Sequence, residues 1–140
     1  MSYASAGTLQ AALYQFLTAD APLMALTGGA VFDAAPPGTP TGTHLVLGEE
    51  EVIDRSDISG PGAEHRFTLS VRSDATGFAQ AKAVAARLAE IVPEAALDLA
   101  PSGRLVAIWF DRAQARRLDG GAVRRVDLRF RARVDGLIGD

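Results

Sequence analysis

From Arg125 the chain alternates charged and apolar side chains: Arg125, Val126, Asp127, Leu128, Arg129, Phe130, Arg131, Ala132, Arg133, Val134. Only an extended strand converts a period of two into two distinct faces. The pattern predicts Val126, Leu128, Phe130, Ala132 and Val134 on a buried face. It places Arg129, Arg131 and Arg133 in a row on the other face, about 7 Å between neighbours at the rise of a strand. Glu64 to Arg72 repeats the signal, with His65, Phe67, Leu69 and Val71 opposed to Glu64, Arg66, Thr68, Ser70 and Arg72. Two other stretches change to helical spacing. Residues 8 to 18 bring Leu9, Ala12, Leu13, Phe16 and Leu17 to one side, with Ser5 or Thr8 available as a cap. A second helix, capped by Ser73, Asp74 or Thr76, runs to about Val92 with Phe78, Ala81, Ala85, Leu88 and Val92 as its stripe, and Pro93 stops it.

Between these elements the chain is punctuated. Asp20, Ala21 and Pro22 end the first helix, Leu23 to Leu26 can form one short helical turn, and Gly28 and Gly29 close it before Val31 and Phe32. No lysine follows these glycines at the spacing of a phosphate loop. Asp33 to Thr43 holds three prolines and two glycines and reads as a surface loop, after which His44 to Gly48 resumes as strand. The next stretch, from Glu49 to Asp57, is acidic apart from Arg55, and its Val52 and Ile53 favour a projecting arm that orders on a neighbour; a disordered acidic loop is the alternative. Arg104 to Arg112 is a further strand, and a loop around Gly120 and Gly121 joins it to the last one as a long hairpin. The sum is one α+β domain over residues 1–140. It is a mainly antiparallel sheet of four to five strands, with two α-helices packed on one face and a long projecting hairpin loop.

Composition narrows the setting. Of 140 residues 48% are hydrophobic and 22% charged, and no apolar run approaches the roughly 20 residues that span a bilayer. The start MSYASAGTLQ lacks the basic and apolar regions of a signal peptide, and there is no cysteine. The expectation is a soluble, intracellular protein with no membrane partner. The net charge of −3 conceals an asymmetry. Residues 1–103 hold 12 acids and 5 bases, whereas residues 104–140 hold 5 acids and 9 bases. Such a division lets the acidic part of one copy meet the basic part of the next, which favours head-to-tail contacts and closed rings.

The residue types that carry catalysis are sparse. His44 and His65, the only histidines, fall in strands without a metal-binding spacing, and no serine has the flanking glycines of a nucleophile elbow. The acids from Glu49 to Asp57 do not match a calcium loop. The sequence therefore assigns no catalytic residue, no cofactor and no metal, and predicts a protein that is not an enzyme. Arg112, Arg116, Arg117, Arg124, Arg125, Arg129, Arg131 and Arg133 crowd the last third and could meet phosphates. Against direct DNA reading stand the acidic overall balance, the few aromatics and the interleaved Asp111, Asp119 and Asp127.

Taken in order, the first helix, LTGGAVFDAAPPG, GEEEVIDRSD, GAEHRFTLSVRS, the alanine-rich helix and VRRVDLRFRARV resemble the tail terminator proteins of long-tailed phages and of phage-like gene transfer agents. These are also called tail completion or tail-to-head joining proteins. The resemblance covers nearly the whole chain. Its most specific pieces are Asp33 with Pro36 and Pro37, Glu64 with His65, Ser73, and Phe130 with Arg131. It implies a structural particle protein, assembled in the bacterial cytoplasm and located at the tail–neck junction. Six copies would form a ring on the head-proximal end of the tail tube, halt tube polymerisation and join the tail to the head. Its partners would be its own copies, the major tail tube protein and the connector or neck proteins, with DNA passing through the channel without specific binding. On that reading Glu49, Glu50, Glu51, Asp54, Arg55 and Asp57 would reach a neighbouring subunit or the tube. Arg129, Arg131 and Arg133 would face an acidic partner. The alternatives are a head-side neck or connector protein, or a ring that binds DNA directly.

Overall fold

The computed structural model of the chain describes residues 3–34, 36, 38 and 40–136. Helices α1 (Ala6–Thr18) and α2 (Ala21–Thr27) come first, followed by strands β1 (Val31–Phe32), β2 (Thr43–Asp54) and β3 (Gly62–Ser73). Helix α3 (Ala79–Ile91) runs into a 3₁₀ turn at Val92–Glu94, and β4 (Arg104–Leu118) and β5 (Val123–Asp135) complete the chain. The five strands form one mixed sheet in the order β1-β2-β3-β5-β4, antiparallel except for the short β1–β2 pair. The fold is α+β, as the residue periods predict.

The alternation in β3 and β5 builds the core. Their registers place Val71 beside Val126, Leu69 beside Leu128, Phe67 beside Phe130 and His65 beside Ala132, all buried on the face that the helices cover. Phe67 stacks on Phe130 with ring centroids 5.5 Å apart. Leu9, Leu13 and Leu17 of α1 join Ala81, Val84, Ala85 and Leu88 of α3 in the same cluster. Small side chains along α3 let it lie close to the sheet. Gly103 is required where the chain enters β4. A Cβ there would strike Ser5 Oγ, and would lie 2.9 Å from Val134 Cγ1 and 3.0 Å from the Asp135 carbonyl.

Four expectations are corrected. Asp20 does not merely break the first helix: its carboxylate accepts a hydrogen bond from the Leu23 amide at 3.0 Å and caps α2 as a helix in its own right, ended by Gly28 at φ 62°. The caps expected at Ser5 for α1 and near Ser73 for α3 are absent. Ser5 Oγ donates to the Ser102 carbonyl, and Ser73 Oγ pairs with Thr43 Oγ1 and accepts from the Ala75 amide. The long projecting loop after Gly48 is also not found. Glu50 to Asp54 instead pairs with Phe67 to Ala63 as the second half of β2, past a bulge, and only a short turn around the Asp57–Gly60 bridge remains. Likewise the loop expected over Ala115 to Arg125 is strand as far as Leu118 and again from Val123, and the turn is confined to Asp119, Gly120 and Gly121, at φ 52°, 66° and 97°. The proline-rich loop lies between β1 and β2; its residues 35, 37 and 39, Pro37 among them, are outside the described residues.

Candidate assembly surface

The helices cover one face of the sheet and leave the other open. On that open face the β3–β5 register sets Arg66 beside Arg131, Thr68 beside Arg129, Ser70 beside Asp127 and Arg72 beside Arg125. Strand β4 adds Arg112 next to Arg129 and Arg116 next to Arg125. Arg72, Arg112, Arg116, Arg125 and Arg129 line an open groove whose acids are Glu49 and Asp127. The groove continues past Arg112 and Arg129 toward Glu51, Arg66 and Asp111.

One carboxylate organises the floor. Asp127 is buried, accepts from Arg125 Nε at 2.8 Å and from Arg116 at 3.0 Å, and its strand neighbour Ser70 assists. Burial alone would favour the protonated acid. The hydrogen bonds from Arg125, Ser70 and Arg116 outweigh it and hold the carboxyl below its usual range. Arg72 is in the opposite position. Burial, then the adjacent Arg125, lower its affinity for a proton, against the pull of Asp127.

Apart from Glu50, the predicted interface residues separate into three groups. Arg129 is exposed in the groove and, among the described residues, its side chain has no hydrogen bond or ion pair. Glu49 and Glu51 stand at the groove's β2 side, Glu51 3.6 Å from Arg66. Arg131 and Arg133 are on the same face but already engaged. Arg131 lies 3.8 Å from Glu64, 3.7 Å from Asp111 and 5.3 Å from the Trp109 ring, and Arg133 donates to Asp135 at 2.8 Å and to the Arg55 carbonyl at 3.1 Å. The last group shapes the chain itself. Asp54 accepts from the Ser56 amide and hydroxyl, and Asp57 accepts from those of Ser59, whose hydroxyl and amide lower the Asp57 pKa.

Glu50 belongs to the other side of the sheet. It accepts from Tyr3 Oη at 3.0 Å and lies 3.8 Å from Nδ1 of His65. His65 is fully buried; burial lowers its pKa, with Glu50 opposing that shift. His44, buried against Phe32, is lowered by burial and then by Arg72. Both histidines are core residues. Among the described residues no group of three or more His, Cys, Asp or Glu could hold a metal ion, and no helix is long and apolar enough to cross a membrane.

Residues 11–135 match the family described as tail completion protein gp17. The chain belongs to that family. The chain is also similar to a chain in the solved structure of the virion of the native gene transfer agent (GTA) particle. The two are 56% identical, cover 96% of this chain and 100% of that one, and superpose with a TM-score of 0.89. No curated protein matches. The chain is thus a structural protein of phage-type tails, carried in the particle. The sequence-derived list omitted Arg72, Arg112, Arg116 and Arg125 from its surface. Arg112, Gln114 and Arg116 carry a period-two signal of their own, which becomes legible once β4 extends to Leu118.

Proposed function

We propose that six copies of this protein form a ring on the head-proximal end of the tail tube, stop tube polymerisation and present the surface that joins the neck. The observation that carries this reading is the open, arginine-lined sheet face of a chain whose other sheet face is fully used by its own helices. Arg129 with Arg112 and Arg116 would meet acidic groups of a neighbouring subunit or of the tube. Glu49 and Glu51 would be offered to a basic partner, with Arg131, Arg133, Arg55, Asp54 and Asp57 supporting them through the contacts described above. Glu50 acts from the helix side, where it steadies the chain near Tyr3. Six modest heterologous contacts that close on themselves hold a ring more firmly than any one contact holds a pair. A ring with a tube-like face below and a different face above ends polymerisation, because an incoming tube subunit finds no matching surface. The role is structural, and DNA passes through the opening.

Electron microscopy of particles produced without this protein tests the reading. Abnormally long, headless tails are expected. Tails of normal length that fail to join heads would move the protein to the neck, and normal particles would overturn both roles. Direct DNA binding is the reading that the five groove arginines favour next; it requires salt-sensitive affinity for free duplex, which a terminator lacks.

A further inference from the structure

Both edges of the sheet end in backbone that no strand of the described residues covers. At one edge lies β4, 15 residues long, with Asp111 to Arg117 exposed throughout and Val106, Trp109 and Phe110 each more than 40% exposed. At the other, β1 pairs with β2 only at Leu45 and Val46, so the outer edge of β2 from Gly48 to Asp54 carries no strand neighbour. Long open edges invite a further strand, and natural chains usually blunt them with proline or lysine. Neither edge segment contains proline or lysine.

We propose that the β4 edge of one copy pairs with the β2 edge of the next, so that the sheet runs unbroken from subunit to subunit. This rests on the ring reading above and says how its copies join. Charge chooses the pairing. The β4 edge carries Arg104, Arg112, Arg116 and Arg117 with a single acid, Asp111, whereas β2 carries Glu49, Glu50, Glu51 and Asp54 and no base. Pairing β4 with β4, or β2 with β2, would set like charges opposite each other; β4 with β2 matches them. Direction agrees. Strand β2 is antiparallel to β3, β3 to β5 and β5 to β4, so β2 and β4 run in opposite senses. Copies that keep the helices on one side therefore meet as an antiparallel ladder, the more stable kind.

Side-chain parity then sets a register. Ile53 and Trp109 belong to the open face and Val52 and Phe110 to the helix face, as their partners Glu64, Arg131, His65 and Phe130 show. With Ile53 opposite Trp109, Val52 falls opposite Phe110, giving an apolar contact on each side of the seam. The bulge that leaves Asp111 unpaired then brings Arg112 opposite Glu51, both on the open face. A two-fold pairing would stop at dimers. This contact joins unlike edges and repeats until it closes.

The chain has no cysteine, so thiol pairs can be placed freely. The test takes particles assembled with Glu51→Cys plus Arg112→Cys, oxidises them and resolves the protein on a non-reducing gel. A ladder of multimers from the double variant, with only monomer from either single variant, is the expected result. Dimers from Arg112→Cys alone would overturn the head-to-tail pairing in favour of β4 on β4. Absence of a ladder, in particles that contain the protein, would overturn the edge pairing while leaving the ring intact. A charge swap gives a second readout that does not depend on disulfide geometry. Glu51→Arg is expected to lower self-association about fivefold, and adding Arg112→Glu to restore it. Failure of the second change to rescue would overturn the register, and absence of any multimer of the wild-type protein in particles would overturn the ring as well.

Discussion

The two faces of the same sheet have opposite chemistry although they are built from alternate residues of the same strands. On the helix face Phe67, Leu69, Val71, Leu128 and Phe130 are buried and bring no charge with them. On the open face the residues between them are Arg66, Thr68, Ser70, Asp127 and Arg129, and the few acids present are shared among several guanidinium groups. The first face has satisfied its needs within the chain. The second has cation left over, five arginines against Glu49 and Asp127 along the groove, as the proposed partner surface would require. On the proposed reading, stability and assembly are carried by different residues one position apart, and substitutions should separate them.

The largest effect is expected on the helix face. Phe130→Ala removes a fully buried ring stacked on Phe67 and met edge-on by Phe110, and should destabilise the fold by about 3–5 kcal/mol in denaturant titration. A smaller loss follows at the join between helices. Asp20 caps α2 and takes two hydrogen bonds from Arg87 of α3, at 2.9 and 2.7 Å, which hold its carboxyl below the usual range. Asp20→Ala should cost about 1 kcal/mol by the same measurement.

The next effect depends on pH. His65 is buried neutral, and burial, against the pull of Glu50, puts its folded pKa below the value of 6.5 for the free side chain. The unfolded chain thus binds the extra proton, so stability is complete above about 6.5 and falls as pH drops below it. Melting temperatures between pH 7.5 and pH 5.5 should decline for the wild type, and less steeply for His65→Leu. His44, shifted in the same direction, should keep part of the slope in that variant. The smallest effect is expected on the open face, where Arg129→Ala removes no hydrogen bond or ion pair of the described residues and should change stability by no more than about 0.5 kcal/mol.

The same division governs how much the sequence discloses. Strands β3 and β5 were legible because one face is buried and the other is not, so their alternation is written in residue type. Helices α1 and α3 were legible for the same reason, at helical period, although Val84 was missed in the α3 stripe. The second half of β2 was not. Glu49, Glu50 and Glu51 in succession erase the alternation, and their strand character comes from pairing with β3, where Glu51 faces Arg66. Strand β4 beyond Arg112 was hidden because Asp111 to Arg117 are exposed on both faces, so its alternation of Arg112, Gln114 and Arg116 with Ala113 and Ala115 lacks the buried apolar face that marks a strand. The arginine row was read correctly as a face. That Arg131 and Arg133 are balanced within the chain while Arg112 and Arg129 are not depends on which strands become neighbours.

The measurement that tests the division between the two faces most directly is a paired one on Arg112→Glu with Arg129→Glu: the melting temperature of the purified protein, and the yield of tails joined to heads when it is the only copy supplied. A nearly unchanged melting temperature with loss of joined particles is the predicted result. Joined particles at wild-type yield would contradict the assignment of the open face to assembly.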